Sequence, residues 1–122
     1  MKQKQKPLEG RRIIDIAAAS AFDKKAEDVV RIDLTGRAAA SDWFLICQAD
    51  NPVHGRAIAD AVIEALNERG TSPWHVEGYE QGRWILLDYS DAVIHIMLST
   101  LRKYYRLELL WDDCPRQTLT GS

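Results

Sequence analysis

Apolar and polar positions are patterned most informatively between residues 84 and 98, WILLDYSDAVIHIML. Residues 84–89 and 92–98 are rich in Ile, Leu, Val, Trp and Tyr, side chains that suit a pleated, packed surface. Ser90 and Asp91 between them are turn formers, so the pattern predicts two strands joined by a two-residue loop. That register sets Trp84 opposite Met97, Ile85 opposite Ile96, Leu86 opposite His95, Leu87 opposite Ile94, Asp88 opposite Val93 and Tyr89 opposite Ala92. Side chains alternate faces along a strand. One face therefore collects Ile85, Leu87, Tyr89, Ala92, Ile94 and Ile96, nearly all apolar. The other collects Trp84, Leu86, Asp88, Val93, His95 and Met97. This second face sets large apolar groups beside a carboxylate and an imidazole. It is too polar for an ordinary core and too apolar for a solvated surface, which makes it a candidate contact site.

Periodicity elsewhere predicts the elements that must cover the first face. Leu8, Ile13, Ile16, Ala17 and Ala19 fall near one stripe of a helix over 8–22. VVRIDL (29–34) marks a strand closed by Thr35-Gly36, and WFLICQA (43–49) marks a second. The latter is apolar on both sides up to Cys47, which suits the centre of a sheet. Asn51 followed by Pro52 is a helix start, and Ile58, Ala61, Val62, Ala65 and Leu66 form the buried stripe of a helix ending near Arg69, with Gly70 as its stop. Residues 72–78 read as a short strand whose leading Pro73 favours an edge position. Ser99 is a candidate cap for a helix over 100–106, and Leu107, Leu109, Leu110 and Trp111 form an apolar segment that folds back. The order α-β-β-α-β-β-β-α predicts one α/β domain, a mixed five-stranded sheet flanked by helices. The domain spans 10–112, between a flexible basic N-terminus (1–9) and a loose tail (113–122).

Length and composition narrow the function classes. A chain of 122 residues buries a core without disulfides or metal. A formal net charge of −2 is not that of a general nucleic-acid binder. Cys47 and Cys114 form no CxxC pair, so a reduced, cytoplasmic setting is the simplest reading. The N-terminal MKQKQKPLEGRR is basic but precedes no apolar signal core, and no apolar run is long enough to cross a bilayer.

Candidate chemistry is sparse. His54, His75 and His95 stand in no metal-ligand spacing. His95 lies diagonal to Asp88 in the predicted register, which admits an acid–base dyad or a plain polar pair, but no nucleophile or phosphate loop accompanies it. There is no GxSxG, GxGxxG or P-loop. Asp33, Asp42 and Asp88 are strand-end carboxylates, more often turn residues than Mg²⁺ ligands. Trp74, Trp84 and Trp111 admit base stacking. Trp111 reads as core, whereas Trp84 shares its face with Asp88, a carboxylate that repels phosphate and suits a basic protein partner. No catalytic residue, cofactor or metal is expected.

The stretches DKKAEDVVRIDLTG (23–36), SDWFLICQA (41–49), His54 with AIADAVIEAL (57–66), Val76-Glu77-Gly78, WILLDYSDAVIHIM (84–97) and YYRLELLW (104–111) resemble the ribosomal silencing factor family, also called Iojap-like. The resemblance covers roughly 10–112, and its specific signature is VEG, then W-x-L-L-D-Y-x-D-x-V-x-H, then L-E-x-L-W. It implies a nucleotidyltransferase-like fold without the catalytic motif. It implies a translational repressor that binds the large ribosomal subunit through the ribosomal protein numbered fourteen (uL-fourteen) and sterically blocks joining of the small subunit. In organelles, relatives act in large-subunit assembly. The family's contact residues carry over at Trp84 and Asp88; Leu86, Tyr89 and His95 extend that partner-binding set by the face argument and the adjoining turn. Gln48-Ala49-Asp50-Asn51 departs from the family's usual Thr-Gly-Thr-Ser. A nucleotidyltransferase-like enzyme is the competing reading, and it lacks its Gly-Ser loop and paired carboxylates here. A homodimer through the same face and a minor rRNA contact by the basic N-terminus complete the expected partners.

Overall fold

The computed structural model describes residues 8–37, 39 and 41–121. The lysine-rich start assigned to the flexible N-terminus thus lies, from residue 1 to residue 7, outside the described residues. The elements are α1 (Gly10–Asp23), β1 (Glu27–Asp33), β2 (Trp43–Ala49), α2 (Pro52–Asn67), β3 (His75–Glu77), β4 (Trp84–Asp88), β5 (Ala92–Leu98), α3 (Ser99–Tyr105), a 3-10 turn (Leu107–Trp111) and β6 (Arg116–Thr118).

The strands form one six-stranded mixed sheet in the order β3-β4-β5-β2-β1-β6. The β4–β5 hairpin has the register derived from the sequence, with Trp84 facing Met97 and Asp88 facing Val93. Tyr89 closes the turn by donating its amide to the Ala92 carbonyl at 2.8 Å, and Ser90 takes a positive φ of 73° in the loop. β5 runs parallel to β2 and the remaining pairs are antiparallel. The apolar β2 and β5 are thereby the two central strands, and the Pro73-led β3 is an edge.

Two layers cover the sheet. α1 and α2 pack together on the face that carries Leu45, Cys47, Ile85, Leu87, Ile94 and Ile96. Their buried stripes, Ile13, Ile14, Ala17 and Ala21 on α1 and Ile58, Val62 and Leu66 on α2, follow from three- and four-residue spacing. Asn51 caps α2, its side chain accepting from the His54 amide at 2.9 Å. The second layer is smaller: α3 and the 3-10 turn lay Leu101, Leu107 and Trp111 over Ile32, Leu34, Ile46 and Met97 on the opposite face.

Three expectations are corrected. The tail expected to be loose contains a sixth strand: β6 pairs with β1, and hydrogen bonds from Asp33 to the Pro115 carbonyl (2.9 Å) and from Leu119 to the Val29 carbonyl (2.8 Å) extend the ladder. Leu8, assigned to the flexible start, packs against the helix-side core. Ser99 is the first residue of α3 rather than its cap, and the helix has no side-chain cap at that end.

Candidate functional site: a half-covered sheet face around Trp84

β4 lies at the margin of the second layer, and its outward residues Trp84, Leu86 and Asp88 are all half-buried. Toward the sheet centre, His95 and Met97 on β5 are buried beneath Phe44, Leu101 and Trp84. Toward the edge, the same face continues onto β3, where His75 stands opposite Asp88 and Glu77 opposite Leu86. Both β3 residues are exposed, and His75 Nε2 lies 2.9 Å from Glu77 Oε2. The face therefore grades from buried aromatic to exposed and acidic within three strands.

Trp84 is fixed from two sides. Its indole N–H donates to His95 Nδ1 at 3.1 Å. Its ring meets Tyr105 of α3 at a centroid distance of 5.3 Å, tilted by 49°. Phe44 meets the His95 ring in a T-shaped arrangement with centroids 4.8 Å apart, and meets Trp111 in another at 6.0 Å. This chain of aromatic contacts carries α3 and the 3-10 turn onto the sheet and leaves one side of Trp84 bordering a cleft of about 280 Å³. Gly78, Gln81, Arg83, Leu101 and Tyr105 line the rest of that cleft.

Burial sets the protonation state of His95. His95 is 4% exposed, and burial pushes its pKa down to about 4. The imidazole is neutral at physiological pH. Because Nδ1 accepts from the indole, the ring proton sits on Nε2, which has no hydrogen-bond partner in its buried position. Asp88 does not form a dyad with it. Asp88 Oδ1 instead accepts from the Ser90 amide at 2.8 Å, shaping the hairpin turn. Asp33 does the same for Thr35 at 2.9 Å, and the Thr35 hydrogen bonds hold its carboxyl below the usual range. Both carboxylates thus accept from the backbone amide two residues further on. Among the described residues, no group of three or more His, Cys, Asp or Glu side chains could hold a metal ion.

The structure thus brings Trp84, Leu86, Asp88 and His95 onto one face, with His95 buried as the support of Trp84 rather than presented to solvent. It places Tyr89 elsewhere. Tyr89 is 6% exposed and packs in the helix-side core, where its hydroxyl has no partner and burial raises its pKa to about 12. Alternation dictates this, since Tyr89 has the parity of Leu87 and Ile85. Cys47 is likewise a buried core thiol, its pKa pushed up to about 12 by burial.

Residues 7–122 match the family model described as ribosomal silencing factor during starvation. The chain belongs to the ribosomal silencing factor family. It is 39% identical over 103 residues to the ribosomal silencing factor of Bacillus subtilis, covering 84% of this chain and 87% of that one. It is 37% identical over 114 residues to that of Halalkalibacterium halodurans, covering 93% and 97%. A crystal structure of a Chromobacterium violaceum protein superposes with a TM-score of 0.83 at 29% identity, covering 93% of this chain and 95% of that one. The silencing-factor signature W-x-L-L-D-Y falls on β4 and the turn after it, with Trp84, Leu86 and Asp88 outward and Ile85, Leu87 and Tyr89 inward.

Sequence reasoning missed Phe44 and Tyr105, the aromatic neighbours that hold His95 and Trp84. Tyr105 carried a usable signal: it lies four residues after Leu101 and so on the same side of α3 as that partly buried residue.

Proposed function

We propose that this silencing factor is a non-enzymatic, cytoplasmic translational repressor. It binds the large ribosomal subunit through ribosomal protein uL-fourteen and sterically blocks joining of the small subunit. Trp84 is the anchor, Leu86 the adjoining apolar contact and Asp88 the charge contact. One observation carries the reading: a half-buried tryptophan, held by His95 and Tyr105, shares with a carboxylate two outward positions further along β4 a sheet face that the second layer leaves open. A rigid aromatic loses little side-chain freedom when it enters a partner pocket, which is why such residues dominate binding energy. The acidic neighbours Asp88 and Glu77 complement a basic ribosomal protein and speed encounter with it. His95 contributes by orienting Trp84. Tyr89, facing the core, is outside the contact set.

The same open face supports a homodimer in the absence of ribosomes, and dimer and ribosome-bound states then compete for Trp84. Co-sedimentation with purified large subunits tests the assignment. Trp84→Ala is expected to weaken binding about 30-fold to nearly a thousandfold, the ~2–4 kcal/mol typical of an anchor tryptophan. Asp88→Arg is expected to abolish binding; because it also removes the bond from the Ser90 amide, Asp88→Asn, which keeps that accepting oxygen and deletes the charge, is expected to weaken binding with the hairpin turn intact. Undiminished binding by all three variants refutes this face as the contact.

A further inference from the structure

The apolar side of α3 is wider than the part of it that the sheet covers. Leu101, Tyr104 and Tyr105 are spaced i, i+3 and i+4, which sets them on one side of the helix in the pattern of a buried stripe. Leu101 is partly buried in the second layer, but Tyr105 is 54% exposed and Tyr104 78% exposed. The helix is firmly docked all the same. Arg102, one residue around from Leu101, is buried; its Nε donates to Glu108 Oε1 at 2.6 Å and its Nη1 to the Asp28 carbonyl. Arg106 takes a left-handed backbone with a φ of 48°, which ends α3 just after Tyr105, and the 3-10 turn that follows packs Leu107 and Trp111 on the sheet. The two tyrosines thus stand exposed on a helix end that is fixed from both sides.

Contact joins both rings to the Trp84 site. Trp84 meets Tyr105 at a centroid distance of 5.3 Å, and Tyr105 meets Tyr104 at 4.9 Å in a T-shaped arrangement. Exposure rises outward along the three rings, from the half-buried indole to Tyr104. Covering Trp84 would account for Tyr105 and leave Tyr104 unexplained. Trp84, Leu101 and Tyr105 also form the apolar wall of the cleft of about 280 Å³. Its one charged lining residue among the described residues is Arg83, exposed and in no ion pair there. That end of the face therefore disfavours a cation and suits an apolar group. The carboxylate that suits a cation, Asp88, stands four residues further along β4, about 13 Å away at the rise of a strand.

We propose that Tyr105 and Tyr104 extend the docking surface from β4 onto α3, and that the cleft between Trp84 and Tyr105 takes an apolar side chain of the same protein partner whose cation meets Asp88. The inference rests on the reading of the Trp84 face given above, and it adds the chemistry of the partner: an apolar group and a cation presented about 13 Å apart. Continuity of the rings carries it. Aromatic side chains packed on one another have little freedom left to lose when a partner covers them, so they add contact area at low entropic cost.

Calorimetric titration of the full chain with purified ribosomal protein uL-fourteen tests this, with co-sedimentation on purified large subunits beside it. Tyr105→Ala is expected to weaken binding to both about tenfold or more, and Tyr104→Ala, nearer the rim, about threefold or more. Tyr105→Phe keeps the ring and is expected to bind within about twofold of wild type. Tyr104 packs on Tyr105 rather than on Trp84, so its effect separates a contact with the partner from support of the indole. Trp74→Ala, which removes an aromatic 83% exposed beside β3, is expected to change nothing. The inference alone is overturned if Trp84→Ala weakens binding while Tyr104→Ala binds as wild type, or if Trp74→Ala costs as much as Tyr104→Ala. It is also overturned if the tyrosine variants lose affinity for subunits but not for the isolated protein, since the rings would then meet ribosomal RNA or another protein. Undiminished binding by Trp84→Ala overturns both this inference and the reading it rests on.

Discussion

Replacing His95 with Phe perturbs the site without touching its surface, and the structure sets the size of the effect. The imidazole has an ordinary pKa of 6.5 and is held down to about 4 by burial. An imidazole that stays neutral in the folded protein but binds a proton when unfolded makes the unfolded state the more protonated one between those values. Stability therefore rises with pH across that window and falls as the solution is acidified through it. The slope is about 1.4 kcal/mol per pH unit, so acidification from pH 6.5 to pH 4 removes about 3 kcal/mol through this one residue. Protonation also converts Nδ1 from acceptor to donor, which turns it against the Trp84 indole N–H. His95→Phe removes the titration while keeping a ring against Phe44. Urea unfolding of wild type and variant at several pH values between 4 and 7 separates the two. The difference between their stabilities is expected to shrink by about 3 kcal/mol in favour of the variant as pH falls. A difference constant across that range refutes the assignment of a buried neutral imidazole under Trp84.

Gly78→Ala is expected to destabilise the fold by about 2–4 kcal/mol in thermal or urea unfolding. Gly78 has a φ of +74°, and an added Cβ would fall 2.0 Å from the Trp84 carbonyl oxygen, a backbone atom with nowhere to go. Tyr89→Phe is expected to leave large-subunit binding unchanged and to hold or raise stability, since it deletes a buried hydroxyl with no partner. A Tyr89→Phe variant that folds normally but loses subunit binding by co-sedimentation would return Tyr89 to the contact surface.

Much of this was legible in the residues because strand alternation is a strict code. β2 and β5 have the boundaries the apolar runs predict, and the hairpin register follows once Ser90-Asp91 is taken as a two-residue turn. The same parity rule puts Tyr89 in the core, so its inclusion beside Asp88 followed from nearness to the turn rather than from geometry. β6 was not legible. Arg116, Gln117 and Thr118 are all exposed, and a three-residue edge strand held by backbone bonds to β1 leaves no hydrophobic pattern. Nor was the extent of the second layer. Alternation marks the whole mixed face as a candidate contact site, whereas α3 and the 3-10 turn cover its β5 and β2 portions and bury His95 and Met97. That coverage depends on Trp111 meeting Phe44 and Tyr105 meeting Trp84, each pair across separate elements, which no local spacing encodes. What remains open is the narrower strip on β4, and Trp84 sits where covered and open portions meet.

Subunit joining measures the central claim most directly. Purified large and small ribosomal subunits are mixed with the chain, and associated ribosomes are followed by light scattering or on a sucrose gradient. Wild type is expected to suppress association in a dose-dependent way. Trp84→Ala and Asp88→Arg are expected to leave association at the level seen without the chain. Full suppression by both variants, or association undisturbed by wild type bound to the large subunit, would contradict a repressor that acts through the Trp84 face.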